Sequence, residues 1–410
     1  MPIFQKILTG VIVGALLLGG GVVWYFFSSA PAQEEAQSTG TFGTGGTRTD
    51  TTNAPSAPAQ SPQPQTTESS KQKIFRIATG PVAGATFIQT QNPTTTLVRF
   101  MRADNGHVQE LVLDSPGAIP RAVSNTTIPG VIGAQWADGG ESAVVQYLDG
   151  GVVKTAYLGF PPSTATSSLN RAVDLRFLPD GITDLVVSPD GERLVYLLSA
   201  SSGTAGYTAS VNGTGVATLF TLPLSEILIE WSAPNTLLAY TKSAAGAPGA
   251  AFSINAQSGA VTPLLFAQGL TATAGEEFSH VVYQTVSATR ASYTRDIEEG
   301  RDVPLSFDPT PEKCIWGKNI PTALYCALPI SYVAPNYLDQ LHRGTALAAD
   351  TIVGFNSITG KSILIATPGG ESGGSTGAIA ELDISPDGKY LLFVTQNDRS
   401  LWGVRLGAGQ

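Results

Sequence analysis

The sequence predicts an all-β fold, a β-propeller of seven four-stranded blades behind an N-terminal transmembrane helix and a disordered linker. Three observations carry this. First, a β-rich run, a tight turn and a second β-rich run recur. LVVSPDGERLVYLL at Leu185–Leu198 and LDISPDGKYLLFV at Leu382–Val394 are the clearest copies. Second, the residue that precedes each turn recurs near Ile88, at Trp136, Val187 and Trp231, near Thr273, and at Trp316 and Ile384, in steps of 48, 51, 44, 42, 43 and 68 residues. Four-stranded blades commonly take about 40–50 residues. Third, 45 Gly and 27 Pro stand against only 13% charged residues, the composition of a turn-rich β protein.

Residues 1–27 come first. Ile7–Phe27 holds no charge, and at 1.5 Å per residue such a run reaches across the roughly 30 Å of a bilayer core. Lys6 precedes it, Glu34 and Glu35 follow it, and Trp24 to Phe27 end it as an interfacial aromatic belt. The positive-inside rule then leaves the amino terminus cytoplasmic and the C-terminal bulk outside. A cleaved signal peptide is the alternative, because Ala30-Pro31-Ala32 has the small-x-small form of a cleavage site. Either way the chain is expected in the cell membrane or beyond it.

Residues 28–72 are rich in Ser, Thr, Pro, Gln, Ala and Gly, with Phe42 the one large apolar side chain. Such a stretch cannot bury enough surface to offset its ordering entropy, so a disordered linker is expected.

Residues 73–410 form the propeller. The 68-residue step contains extra chain, PISYVAPNYLDQLHRGTALAAD at 329–350, which reads as an insertion within an otherwise regular blade. Only three strands remain for the last blade, while KIFRIAT at Lys73–Thr79 is an unassigned strand at the other end. Pairing the two closes the ring and removes sheet edges that would otherwise invite aggregation.

The turns have a physical logic. In Ser188-Pro189-Asp190-Gly191 and Ser385-Pro386-Asp387-Gly388, Pro presets φ, Asp bonds nearby backbone and Gly accepts positive φ. These two motifs, with Trp136, Trp231 and Trp316 at the corresponding points of other blades, resemble the WD40-like Pro-Asp repeats of TolB-type propellers. The resemblance implies that each turn joins the two innermost strands of a blade. Five of the seven markers lack the full motif, and a propeller hosts many functions, so no role is carried over.

The net charge of −9 argues against nucleic acid as a partner, since that needs a basic face. Cys314 and Cys326 flank one predicted turn. They can face each other as a disulfide or remain two buried thiols. His107, His280 and His342 fall on different predicted blades, His107 in an exposed hairpin. No metal or cofactor is expected. Gly370-Glu371-Ser372-Gly373-Gly374 matches G-x-S-x-G, but it lacks the preceding strand, the following helix and the later His that a nucleophile elbow requires. The acidic run Asp296, Glu298, Glu299, Asp302 reads as a hairpin tip rather than a calcium loop.

The insertion is the best local candidate for function. Its Asn336–Arg343 is expected to form one or two helical turns. Tyr332, Tyr337, Leu338, Leu341, His342 and Arg343 give it the aromatic, apolar and basic groups of interaction hot spots. The alternative is a loop that packs down on its own blade. The expected function is therefore a non-enzymatic protein–protein interaction module of the cell envelope, with an envelope protein as partner. A ligand or glycan site at the propeller channel is the alternative. A propeller hydrolase ranks last, because Asp190 and Asp387 serve the turns.

Overall fold

The computed structural model describes residues 73–88, 95–113, 115, 117–160, 173–331, 333–346, 348–369 and 377–407. The expected span at 7–27, the linker at 28–72, Tyr332 and the Gly370–Gly374 motif lie outside them. Among the described residues no helix is long and apolar enough to cross a membrane.

Seven antiparallel sheets of four strands follow one another around a ring. Blade 1 is β2 (Val82–Ile88), β3 (Leu97–Arg102), β4 (Val108–Val112) and β5 (Arg121–Ser124). Blade 2 is β6 (Val131–Ala137), β7 (Ser142–Asp149), β8 (Val152–Gly159) and β9 (Asp174–Phe177). Blade 3 is β10 (Ile182–Val187), β11 (Arg193–Ala200), β12 (Gly203–Ser210) and β13 (Ala217–Leu222). Blade 4 is β14 (Ile227–Ala233), β15 (Thr236–Thr241), β16 (Pro248–Asn255) and β17 (Val261–Gln268). Blade 5 is β18 (Thr271–Ala274), β19 (His280–Val286), β20 (Arg290–Asp296) and β21 (Asp302–Pro304). Blade 6 is β22 (Cys314–Trp316), β23 (Ala323–Pro329), β24 (Asp350–Asn356) and β25 (Ser362–Ala366). Blade 7 takes β26 (Ile379–Ile384), β27 (Tyr390–Thr395) and β28 (Leu401–Arg405), and its fourth strand is the N-terminal β1 (Ile74–Ala78).

β1 pairs with β28 from Ile74↔Val404 to Ala78↔Leu401, the ring closure expected from the unassigned KIFRIAT strand. All seven marker residues fall on the first strand of a blade. The Ser-Pro-Asp-Gly turns do join the two inner strands. In each, the Asp Oδ1 accepts the backbone N–H two residues on, at 3.1 Å for both Glu192 and Lys389. The Ser Oγ accepts the N–H that opens the next strand, 2.9 Å from Arg193 and from Tyr390. Gly191 and Gly388 have φ of 78° and 69°, the left-handed region that glycine enters without strain.

The core is a ring of sheet-on-sheet interfaces. One apolar cluster fills each junction: Val195, Leu197 and Phe220 of blade 3 against Ile227, Ile229 and Trp231 of blade 4, for example. Inner blade strands are covered on both faces, which is why runs such as Tyr390–Thr395 are buried throughout and show no alternation. The outer strands pack on one side only, and Asp174–Phe177 is exposed at all four positions.

Polar side chains also cross every junction. Arg99 Nη1 donates to Gly140 O at 2.6 Å, and Gln135 Nε2 to Leu185 O at 2.7 Å. Asp184 accepts from Ile229 N at 2.8 Å, and Glu230 from Ala274 N at 3.3 Å. Trp316 Nε1 donates to Thr273 Oγ1 at 3.0 Å. Asp350 accepts from Ile379 N at 2.6 Å, and Arg399 Nε donates to Val82 O at 3.0 Å. Except for Thr273 Oγ1, the partners in these bonds are backbone groups, which need a hydrogen bond once buried.

Cys314 and Cys326 are register partners on β22 and β23 and form a disulfide. The acidic run lies at the β20–β21 hairpin, as expected for a tip. His107 differs from expectation. It is half-buried, because its Nε2 turns toward Thr127 Oγ1 at 3.2 Å.

Candidate functional site

The insertion leaves blade 6 after β23 and returns at β24. Its only helix among the described residues is α1 (Tyr337–His342). Tyr337 and Leu338 are not presented outward: they are 2% and 1% exposed. The cause is a buried polar anchor. Lys313 Nζ donates to Tyr337 Oη at 2.9 Å and to Asp350 Oδ2 at 2.5 Å. Arg290 and Lys313 both lie 5.6 Å from the centre of the Tyr337 ring, within cation–π reach. Burial pushes the Lys313 ammonium down and the Asp350 carboxyl up, against the attraction between them. Of the six residues expected to meet a partner, Leu341 and His342 are half-buried and Arg343 is exposed, while Tyr332 lies outside the described residues. The insertion thus packs down at its aromatic end and is open at its basic end.

His342 reaches inward instead. Its Nε2 lies 2.6 Å from Glu312 Oε2, and Glu312 Oε1 accepts from Thr271 Oγ1 at 3.0 Å. Glu312 is part of the wall of a cavity of about 470 Å³ lined by the inner strands of blades 3 to 6. Asp184, Glu230, Tyr240, Trp231, Trp316 and Glu312 line it, and Lys318 pairs with Glu276 at 2.9 Å at its edge.

The electrostatics are those of crowded carboxylates leaving water. Burial raises the Asp184 carboxyl to about 6, opposed by the N–H groups of Ile229 and Leu185 and assisted by the charge of Glu312. Burial raises Glu230 to about 7, opposed by hydrogen bonds from Ala274, Thr273 and Ser232. The Tyr240 hydroxyl is held well above its ordinary value by burial and by Glu312, Glu230 and Asp184 together. All three carboxylates and the phenol line the same cavity. Such a cavity holds part of its negative charge at neutral pH and attracts cationic or hydroxyl-bearing groups. Among the described residues no group of three or more His, Cys, Asp and Glu is placed to hold a metal ion.

Sequence reasoning singled out the insertion and missed the cavity. Asp184 and Glu230 each interrupt an apolar inner strand, ITDLVV and ILIEWSA. A carboxylate inside a strand otherwise destined for the core was the available signal.

No family model matches this chain, and no curated protein matches it. Among solved structures the chain is similar to an oligogalacturonate lyase in complex with manganese, at 12% identity and a TM-score of 0.48, covering 81% of this chain and 99% of that one. It is similar to puromycin hydrolase at 16% identity and a TM-score of 0.48, covering 77% of this chain and 50% of that one. It is also similar to TolB from Acinetobacter baumannii at 11% identity and a TM-score of 0.40, covering 75% and 62%. This chain thus spans half the length of puromycin hydrolase. Overlaps of this size carry neither an activity nor a partner to this chain, which the topology itself makes a seven-bladed, four-stranded β-propeller.

Proposed function

We propose that this chain is a binding module of the cell envelope, held at the membrane through residues 7–27 with its propeller extracytoplasmic, and that it takes its ligand in the channel cavity of blades 3 to 6. The observation that carries the site is that Asp184, Glu230, Glu312 and Tyr240 line one open cavity together with Trp231 and Trp316. Its volume falls within the roughly 300–1,000 Å³ of small-molecule sites. Binding without turnover is the role proposed, because Asp184 and Glu230 already spend oxygens on the N–H groups of the next blade. The uncharged 7–27 run supports the anchor, and the 28–72 linker would set the module's reach.

A thermal-shift screen of glycans and small molecules against the full-length chain tests the site. Hits that stabilise the wild type and fail on Glu230→Gln support it. Hits that are indifferent to that substitution place binding elsewhere.

The insertion supports a second reading, an envelope protein as partner. Arg343 is exposed, and the insertion's Ile330, Val333 and Pro335 line a cavity of about 490 Å³ with Arg290, Asp308 and Leu328. Proximity crosslinking in the native membrane, with a variant lacking Pro335–Arg343 alongside, separates the two readings. A protein captured by the wild type and lost from the variant supports the insertion as the site.

A further inference from the structure

Each blade ends in an outer strand with one open edge, and charge or proline at such an edge keeps it from pairing with another chain. β1 carries Arg76, β5 carries Arg121, and β9 alternates Asp174 and Arg176 with its exposed Leu175 and Phe177. β17 holds Pro263, and β21 sets Val303 between Asp302 and Pro304. β13 has neither charge nor proline, but it exposes only Ala217, Thr218 and Thr221.

β25 is the exception. Its sequence, Ser362-Ile363-Leu364-Ile365-Ala366, reads like a strand covered on both faces. Yet it ends the blade 6 sheet, with β24 as its only strand partner among the described residues. Ile363 and Leu364 are 46% and 60% exposed, and successive residues of a strand point to opposite faces. On one face Ile363 lines a mostly apolar cavity of about 260 Å³ with Ile320, Tyr325, Phe355 and Ile365, and Ile320 is itself 49% exposed. The apolar surface therefore runs beyond the strand.

We infer that β25 pairs antiparallel with β25 of a second copy of this chain. The edge is complementary to itself. A two-fold axis through Leu364 sets Leu364 against Leu364, Ile363 against Ile365 and Ser362 against Ala366, so no charge stands opposite a like charge. The blade then continues into the blade of the second copy, and both open edges disappear. The same patch is used by both copies, so assembly stops at two. The chain's own 28–72 segment is a poorer occupant, because Phe42 is its one large apolar side chain and its many prolines cannot donate to a ladder. Anchoring through residues 7–27 would hold copies on one surface and raise their effective concentration.

Cysteine crosslinking of the full-length chain in detergent tests this. Cys314 and Cys326 are bonded to each other and are the chain's only cysteines, so Leu364→Cys supplies a single free thiol. Opposed Cα atoms of an antiparallel pair lie about 4.5–5.5 Å apart, within reach of a disulfide. Under mild oxidation Leu364→Cys is expected to give several-fold more covalent dimer than Thr221→Cys, the same change on the β13 edge. Sedimentation velocity of the wild type should show a dimer that grows with concentration, and Leu364→Lys should reduce it several-fold. Equal crosslinking of the two cysteine variants, or a dimer untouched by Leu364→Lys, overturns the pairing. Species larger than a dimer would mean open-ended association and overturn the two-fold contact. A crosslink from Leu364→Cys to a different protein in the native membrane, without self-crosslinking, overturns the second copy as occupant. Ile363→Lys gives the same comparison if circular dichroism shows that Leu364→Lys does not fold.

Discussion

His342 Nε2 lies 2.6 Å from Glu312 Oε2, so the insertion helix and the channel wall share one hydrogen bond. The bond is partly buried, with side-chain exposures of 15% and 14%. His342→Ala is expected to cost about 1–2 kcal/mol, the size of a partly buried bond to a charged group. Glu312→Ala should cost a similar amount. In a double-mutant cycle read by denaturant unfolding, the two losses should fall short of adding by at least about 0.5 kcal/mol. Full additivity would mean that the contact carries no coupling.

Glu230→Gln should stabilise the fold in neutral and alkaline solution. The Glu230 carboxyl rises from 4.5 to about 7 on folding because burial penalises its charge. Its folded pKa lies above its unfolded one. Stability is therefore fullest below about pH 4.5, falls as the pH rises through the window to 7, and stays reduced above it. Asp184, Glu312, Glu276 and Lys318 line the same cavity, His342 bonds Glu312, and Asp184 shifts in the same direction, so the contrast with the variant isolates Glu230. The variant should gain about 1–3 kcal/mol at pH 8 and nothing at pH 4, measured by chemical denaturation at both. A substitution that stabilises the fold and removes ligand binding marks a functional site.

Arg99 and Glu110 form a pair 2.8 Å apart, with side chains 3% and 1% exposed. Arg99 Nη1 also donates to Gly140 O, which joins blade 1 to blade 2. Glu110→Ala strands the Arg99 charge and should cost about 3–5 kcal/mol. Glu110 also pairs with Arg121, whose side chain is exposed, so replacing the two buried charges together, Arg99→Met with Glu110→Leu, should cost markedly less. Urea midpoints of the wild type and the two variants check the order.

Removing β1 should open the ring. β28 would then expose the backbone edge that Ile74–Ala78 now covers, along with its share of the Ile77, Phe87 and Leu401 cluster. A chain lacking residues 73–79 is expected to melt lower and to scatter light at concentrations where the intact chain stays monodisperse. Equal behaviour of the two would deny the closing strand its role.

The Cys314–Cys326 disulfide closes a short loop, with a sequence separation of 12. The chain-entropy account gives about 3 kcal/mol for such a loop. Cys314→Ala with Cys326→Ala should lower stability by that order, and the unreduced wild type should show no free thiol toward a thiol reagent.

How much of this the sequence could reveal follows from which contacts are local. The Ser188–Gly191 and Ser385–Gly388 turns are written in adjacent residues, and a marker residue recurs once per blade. The seven blades and the closing strand were therefore legible. The cavity was not. Asp184 and Glu230 stand on blades 3 and 4 and Glu312 in the 3-10 turn before β22, and only the packing of successive blades brings them to one cavity. The insertion was legible as an insertion, but its orientation was not. Tyr337 turns inward because Lys313 and Asp350, from either side of the loop, form a buried pair beneath it, and no local pattern announces that pair.

Hydrogen–deuterium exchange of the full-length chain, with and without native envelope extract, tests the central claim without assuming a ligand. Binding at the channel predicts added protection in Ile227–Ala233 and Thr271–Ala274, unchanged exchange across 330–349, and loss of the protection in Glu230→Gln. Protection confined to 330–349, or protection that is the same in Glu230→Gln as in the wild type, would contradict the channel as the binding site.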